Sequence, residues 1–255
     1  MKRVLDFFKE LQQNNNKPWF DAHKQQYKEM LAVHNDFSQR LIDGIASFDK
    51  SVAGLQVKDC TYRIYRDLRF SHDKTPYKQH IGTYVCPHGK KSGYSGYYVH
   101  IEPNVSYFIC AGLWCPEPRI VKSVREEIML NGKNFDKAIR SAKGFSLSWD
   151  DSLKKIPAGF DADDEFSEYY KLKSFLIEKP IDESYILDSN FVDKVVSDLR
   201  RTYEFNSLLN KAVEYAMEMY WFLLIDCTII IWIKLCFFQI RNKWLFYSAK
   251  KWNKW

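Results

Sequence analysis

Two stretches of alternating apolar and polar residues lie so close in the chain that only a hairpin can join them. They cover residues 94–102 and 106–112 and leave three residues between them. A parallel connection needs about a dozen residues or more, so the two stretches predict neighbouring antiparallel strands. Residues 80–86 show the same alternation, and residues 87–93 are short enough to form a second hairpin loop. The sequence therefore predicts an antiparallel meander.

The alternation within residues 94–102 assigns side chains to the two faces of the sheet, because successive residues of a strand point in opposite directions. The set expected to face the core is Tyr97, Val99 and Ile101. The set expected on the opposite face is Tyr98, His100 and Glu102. A slip of the register by one residue would reverse the two sets.

Most of the remaining chain shows helical periodicity. Apolar residues recur at helical spacing over residues 4–11 and 27–48 before the strands, and over residues 188–213 after them. A period of two over residues 60–67 predicts a fourth strand. This order lacks the strand–helix alternation of a doubly wound fold. It predicts a single α+β domain over residues 1–218, with an antiparallel β-meander of four or more strands packed with several helices.

The distribution of charge argues against a nucleic-acid partner. The chain carries a net charge of +6, but residues 219–255 contain six basic residues and one acidic residue and so account for +5 of it. Residues 1–218 are nearly neutral, at +1. Since affinity for nucleic acid follows the number of phosphates that Lys and Arg neutralise, we expect such binding only if a local basic groove exists.

The cysteines do not indicate a metal site or a disulfide framework. The six cysteines show neither a Cys-x-x-Cys pair nor zinc-ligand spacing, and the chain has no glycine-rich phosphate loop. We expect no metal, no cofactor and reduced thiols. Lys2 and Arg3 are followed by Asp6, which interrupts any apolar run too early for a signal peptide, so we expect a cytoplasmic protein.

Residues 219–255 form a tail of different composition. They hold five of the eight tryptophans, and residues 221–238 are just long enough for a membrane span. Asp226 and Lys234 argue against a span, because each costs about 2.5–3.5 kcal/mol near the centre of a bilayer. The tail could instead be a buried or partner-bound helix, or a C-terminus altered by a reading-frame change, and the sequence leaves both possibilities open.

Charged residues are concentrated in residues 63–77. They are Arg63, Arg66, Asp67, Arg69, Asp73 and Lys74. In a strand over residues 60–67, Arg66 would point with the apolar side chains. Because a guanidinium stays charged, its burial requires a carboxylate or several carbonyl acceptors. We therefore interpret Arg66 as part of a structural ion pair with Asp67, Asp73 or a distant acid.

The order Arg-x-x-Arg-Asp-x-Arg-Phe-x-x-Asp-Lys-x-x-Tyr resembles the signature of a widespread bacterial family of conserved hypothetical proteins, a domain of unknown function also found in fungi. The matching residues are Arg63, Arg66, Asp67, Arg69, Phe70, Asp73, Lys74 and Tyr77. The resemblance also covers residues 14–20, 96–102 and 111–114 and extends over most of the chain before the tail. It implies no particular activity and leaves open whether the protein is an enzyme.

Two functional interpretations of the charged stretch remain. In the first, it binds a small anionic or nucleotide-like ligand, since arginine donates paired hydrogen bonds to phosphate or carboxylate. The residues assigned to this role are Arg63, Asp67, Arg69, Asp73, Lys74 and Tyr77.

In the second interpretation, the same charges form a salt-bridge network in a non-catalytic interaction or scaffold protein. Cations that converge on a pocket would favour the first interpretation, and an acid on each cation would favour the second. His72, His80 and His100 are candidate proton carriers. The sequence does not specify an oligomeric state.

Overall fold

The computed structural model describes residues 1–219, of which Met1–Val213 form one compact unit. Residues 220–255 lie outside the described part, and with them the apolar stretch 221–238 and all but the first residue of the predicted tail. Across the described residues, none of the helices is long and apolar enough to cross a bilayer.

Four helices precede the sheet: α1 (Lys2–Gln13), α2 (Lys17–Ala22), α3 (Lys24–Ala46) and α4 (Val57–Cys60). The apolar spacing of α1 places its large side chains on one buried face. The Asn16 side chain then accepts a hydrogen bond from the Trp19 N–H at 3.0 Å and caps α2. The asparagine run therefore ends one helix and begins the next.

Five strands of the described residues form one antiparallel sheet. They are β1 (Ile81–Val85), β2 (Gly96–Glu102), β3 (Ser106–Leu113), β4 (Ser146–Leu147) and β5 (Phe175–Pro180). Their order across the sheet is β1-β2-β3-β5-β4. The first three form the expected meander, in which Ile81 pairs with Ile101 and Glu102 with Ser106. The α+β fold class and the antiparallel sheet predicted from the sequence are confirmed.

The helices after the meander are α5 (Pro118–Ser141), α6 (Glu183–Leu187) and α7 (Phe191–Arg200), and residues 203–219 are also helical. The prediction of one long helix over residues 188–213 was wrong. The chain leaves α7 after Arg200, where the Thr202 hydroxyl donates to the Leu199 carbonyl at 2.7 Å. This local hydrogen bond offers the backbone an alternative to continued helix.

The core face of the sheet follows the predicted alternation in β2. Tyr97, Val99 and Ile101 are each at most 1% exposed. The Tyr97 hydroxyl donates to the Asp49 carboxylate at 2.9 Å, which satisfies both groups in the interior. Their neighbours in β2 therefore project from the opposite face, here called the outer face.

A neutral polar cluster joins α3 to β1. His34, Ser38 and Thr83 are each at most 2% exposed, and the Thr83 hydroxyl lies 3.1 Å from His34 Nε2 and 2.8 Å from the Ser38 hydroxyl. Burial lowers the pKa of His34 to about 4, so its imidazole is neutral near pH 7. Hydrogen bonds among uncharged groups thus hold α3 against the sheet.

The strand predicted over residues 60–67 is absent. Cys60 ends α4, and residues 61–80 form only isolated bridges, Thr61 with Thr83 and Tyr65 with Tyr77. Ile64 is buried whereas Tyr65 is exposed, because this segment pairs with a later part of its own loop. The period of two in the sequence therefore reflects a local loop closure.

Candidate functional site

Residues 66–76 form a loop, here called the charged loop, whose two ends are hydrogen-bonded to each other. The Arg66 N–H donates to the Pro76 carbonyl at 3.0 Å, and the Lys78 N–H donates to the Ile64 carbonyl at 2.8 Å. These bonds satisfy backbone groups without a neighbouring strand. The loop therefore projects from a closed, hydrogen-bonded base.

Asn15 anchors this base from the N-terminal helices. Its side-chain amide donates to the Tyr77 carbonyl at 2.9 Å and accepts from the Tyr77 N–H at 3.2 Å. The Tyr77 ring is 3% exposed and stacks on Phe20 with ring centroids 4.1 Å apart. The structure thus places Tyr77, expected from the sequence to contact a ligand, in the hydrophobic core.

Arg66 turns back into the charged loop. Its guanidinium forms an ion pair with Asp73 and hydrogen bonds with the hydroxyls of Thr75 and Ser71, the last at 3.3 Å. The Thr75 N–H also donates to Asp73 at 2.9 Å. The Thr75 backbone and the Arg66 guanidinium together lower the pKa of Asp73 to about 2. Arg66 is 26% exposed and serves the shape of its own loop.

Arg69 is paired with Asp67 in a two-point contact. Its Nε lies 2.9 Å from one carboxylate oxygen, and its Nη2 lies 2.6 Å from the other. The Arg69 hydrogen bonds lower the pKa of Asp67. Arg69 also lies 5.8 Å from the ring of Phe70, which is 92% exposed. Two of the three arginines in the charged stretch therefore already have carboxylate partners.

Lys74 also bonds within the charged loop, because its ammonium donates to the Leu68 carbonyl at 3.1 Å. A single carbonyl leaves the other two ammonium protons to water. Lys74 and the exposed His72 therefore lie on the solvent side of the loop.

Arg63 and Lys78 differ from the cations of the charged loop. Among the described residues, neither side chain forms an ion pair or a hydrogen bond, and the Lys78 ammonium lies 5.3 Å from the centroid of the Tyr62 ring. Burial, followed by the nearby positive charge of Arg63, lowers the pKa of Lys78. Asp67 interacts electrostatically with Arg63, but its carboxylate oxygens already accept hydrogen bonds from Arg69. Two like charges thus lie close together with incomplete compensation.

Arg63 and Lys78 line one cavity together with Tyr62, His80, Gly82 and Tyr98, and the rest of its lining consists of Phe8, Tyr27, Met30, Leu31, Ile64 and Ile81. Its volume is about 30 Å³, which is enough to hold water. Gly82 is required here because a Cβ at this position would lie 2.3 Å from the Tyr98 hydroxyl. The cavity can hold water inside, and anything larger must bind across its opening.

His80, His100 and Glu102 form a cluster on the outer face. One ligand atom from each lies within 4.8 Å of the others. The His80 and His100 rings have centroids 4.9 Å apart, and His100 Nε2 lies 3.5 Å from a Glu102 oxygen. On its other side, the His100 Nδ1 lies 3.0 Å from the Tyr98 hydroxyl. The antiparallel pairing of β1 with β2 produces this arrangement.

Both histidines of this cluster are neutral near pH 7. Burial lowers the pKa of His100 to about 4, and burial followed by the neighbouring His100 lowers the pKa of His80. His100 is 9% exposed and stacks on Phe108 with ring centroids 4.6 Å apart. A neutral imidazole keeps one nitrogen lone pair, so it can accept a proton or bind a metal ion.

Sequence reasoning considered the histidines one at a time and predicted no metal site. The alternation in β2 already placed His100 and Glu102 on one face, and this pair is the signal from which the cluster could have been extended. The missing information was the register that brings His80 beside them, since the loop between β1 and β2 is too long to fix it. Lys78 likewise becomes a candidate only when its cavity is seen.

Fold and site together define an α+β domain in which a histidine–glutamate cluster lies at the β1 end of an antiparallel sheet and a charged loop precedes that strand. The chain belongs to the family described as conserved hypothetical protein (DUF2461), whose model matches residues 3–207. The resemblance to a family of conserved hypothetical proteins is thereby confirmed. Neither the curated proteins nor the solved structures contain a match to this chain.

Proposed function

We propose that the protein binds a small anion, such as a phosphate or carboxylate group, between Arg63 and Lys78. The observation that carries the proposal is the position of these two cations on one cavity without a carboxylate partner of their own in the described chain. Two adjacent cations repel each other, and an anion between them would relieve the repulsion while accepting hydrogen bonds from both.

The cations of the charged loop have a supporting role in this proposal. Arg66 and Arg69 are occupied by Asp73 and Asp67, and Lys74 is bonded to a backbone carbonyl. Their pairing fixes the loop beside Arg63. In this proposal Arg69, Lys74 and the two aspartates hold the shape of the loop, and the ligand-binding role assigned to them from the sequence stays a prediction.

The size of the cavity limits the ligand. A space of about 30 Å³ does not admit a nucleotide, since ligand pockets for drug-sized molecules are roughly 300–1,000 Å³. A single oxyanion group across the opening meets this limit. The neighbouring Tyr62 ring, which is 47% exposed, would cover one side of it.

Titration of the full chain with inorganic phosphate by calorimetry tests the proposal. We expect Arg63→Gln and Lys78→Gln each to weaken binding about tenfold or more, since a hydrogen bond to a charged group contributes roughly 1.5–3 kcal/mol. The matched control is Arg40→Gln, which removes an exposed arginine of α3 that lies 4.0 Å from Asp36. Binding should also weaken as salt is raised. Equal affinity in all three variants would refute the site.

A second candidate is a non-catalytic interaction protein whose charged loop is a scaffold. The observation that favours it is the internal pairing of the loop together with the 92% exposure of Phe70 at its surface. Under this alternative, the phosphate titration shows no binding.

We also propose a cytoplasmic location, as the sequence predicts. Its support is that the four cysteines within residues 1–219, Cys60, Cys86, Cys110 and Cys115, are free thiols, which is usual for proteins in a reducing compartment.

A further inference from the structure

We propose that His80, His100 and Glu102 bind a divalent transition-metal ion. Two imidazoles and one carboxylate form a donor set that suits zinc and its neighbours in the first transition row, whereas magnesium and calcium prefer oxygen donors. His80 also lines the cavity of Arg63 and Lys78, but this inference does not require anion binding, because neither cation is one of the three donors.

The spacing of the donor atoms supports the site. Zinc binds nitrogen and oxygen donors at about 2.0–2.2 Å, which in a tetrahedron places two donors roughly 3.3–3.6 Å apart. His100 Nε2 and the Glu102 oxygen lie 3.5 Å apart. The remaining donor atom, from His80, lies within 4.8 Å of both. Only the His80 side chain has to approach, by at most about 1.5 Å on this geometry.

His80 can make this approach. It lies just before β1 and is only partly buried, and its ring forms no hydrogen bond within the described residues. His100 and Glu102, in contrast, project side by side from β2. The site thus has two donors fixed by a strand and one movable donor.

The surroundings of His100 suit a metal ligand. A metal-bound imidazole donates its other N–H to an acceptor, which fixes the orientation of the ring. Tyr98 supplies such an acceptor, since its hydroxyl lies 3.0 Å from His100 Nδ1. The stack on Phe108 restrains the ring plane as well. With Nδ1 donating to Tyr98, Nε2 presents its lone pair on the side of Glu102.

The same contacts admit one competing arrangement without metal. If the Tyr98 hydroxyl donates to Nδ1, then Nε2–H can donate to Glu102, and the three groups form a hydrogen-bonded chain. In that case His80 has no role in the cluster. Dependence of zinc binding on His80 therefore separates the two arrangements.

The experiment is calorimetric titration of the chelator-treated full chain with zinc chloride. We expect one high-affinity ion per chain, and at least tenfold weaker binding in His80→Asn and in Glu102→Gln. Both positions are partly exposed, so these variants should fold, which circular dichroism can verify. The matched controls are His88→Asn and Glu29→Gln, which alter exposed residues outside the cluster and should bind zinc like the unaltered protein.

Cobalt gives an independent readout of the ligands. We expect Co²⁺ to produce visible ligand-field absorption without thiolate charge-transfer bands, and His80→Asn to abolish it. No zinc binding, or binding that is equal in His80→Asn, Glu102→Gln and both controls, would overturn the proposal. Thiolate bands would assign the ion to cysteines and overturn it as well.

Discussion

The charged loop and the His34 cluster both bring polar side chains together, but they do so in opposite ways. The loop pairs full charges in water, as Arg66 does with Asp73, whose side chain is 58% exposed. The His34 cluster joins neutral groups that are nearly inaccessible to water. Surface ion pairs are individually weak, whereas buried polar groups are costly to charge or to leave unpaired.

The comparison of these two regions indicates where a ligand can bind. Both regions satisfy most of their polar groups internally. The outer face near β1 differs from both regions because its polar groups are incompletely paired. Among the described residues, Arg63 and Lys78 have no carboxylate partner of their own, and His80 has no hydrogen bond. A partly exposed and incompletely satisfied set of polar groups is the place where a bound ion contributes most.

The largest expected effect is the response of the His34 cluster to acid. Burial holds the folded-state pKa of His34 near 4 against an ordinary value of 6.5. The unfolded chain therefore binds the proton first. The contribution of neutral His34 is complete above pH 6.5 and is lost as the pH falls towards 4, by up to about 3 kcal/mol.

Urea unfolding between pH 7.5 and 4.5 measures this loss. His34→Gln, which cannot take up a proton, should be less stable at pH 7 but should show a smaller decrease on acidification. His72→Gln is the control, because it replaces an exposed histidine outside the cluster. If the free energy of unfolding fell equally with pH in His34→Gln and in the unaltered protein, His34 would not be the source of the acid sensitivity, and the contrast with the charged loop would fail.

An intermediate effect is expected from breaking the charged loop. Arg66→Ala removes the contacts with Asp73, Thr75 and Ser71 from a side chain that is still 26% exposed. We expect the melting temperature to fall by about 2–4 °C, as for a loss of roughly 1 kcal/mol in a domain of this size. Differential scanning calorimetry measures it.

Phosphate affinity should change little in Arg66→Ala, because Arg66 does not line the cavity. If Arg66→Ala lost as much phosphate affinity as Arg63→Gln, the charged loop itself would bind the anion, and Arg66 would be a ligand-binding residue.

The smallest effect is expected from Lys74→Gln. Lys74 is exposed and holds one backbone carbonyl, so the free energy of unfolding should change by no more than about 0.5 kcal/mol. Phosphate affinity should stay the same, in contrast to Lys78→Gln. A tenfold loss in calorimetric titration would support the ligand-binding role that the sequence suggested for Lys74.

Local patterns were sufficient to predict much of the fold. The alternation in β2 identified the buried Tyr97, and the short connection to β3 required an antiparallel pair. The strand over residues 60–67 could not be excluded in this way, because a loop that pairs with itself shows the same period as a strand. The break after Arg200 also leaves no signal in the apolar spacing.

The candidate site was less accessible from the sequence, for a physical reason. Charge density identifies the charged loop, but it does not reveal which cations are already neutralised. Asp67 and Asp73 lie within a few residues of several arginines, and only the folded loop assigns Asp73 to Arg66 and Asp67 to Arg69. The cavity and the histidine cluster depend on strand register, which is a long-range property.

The Asn15 amide has a consequence for the order in which the chain acquires its structure. It holds both backbone groups of Tyr77, a residue 62 positions later in the chain. During synthesis the anchor emerges from the ribosome well before the loop that it secures. A fragment that begins after α2 would contain every arginine and aspartate of the charged loop and still lack the contact that closes its base. Residues 66–76 thus supply the charges of the loop, but its shape depends on the N-terminus.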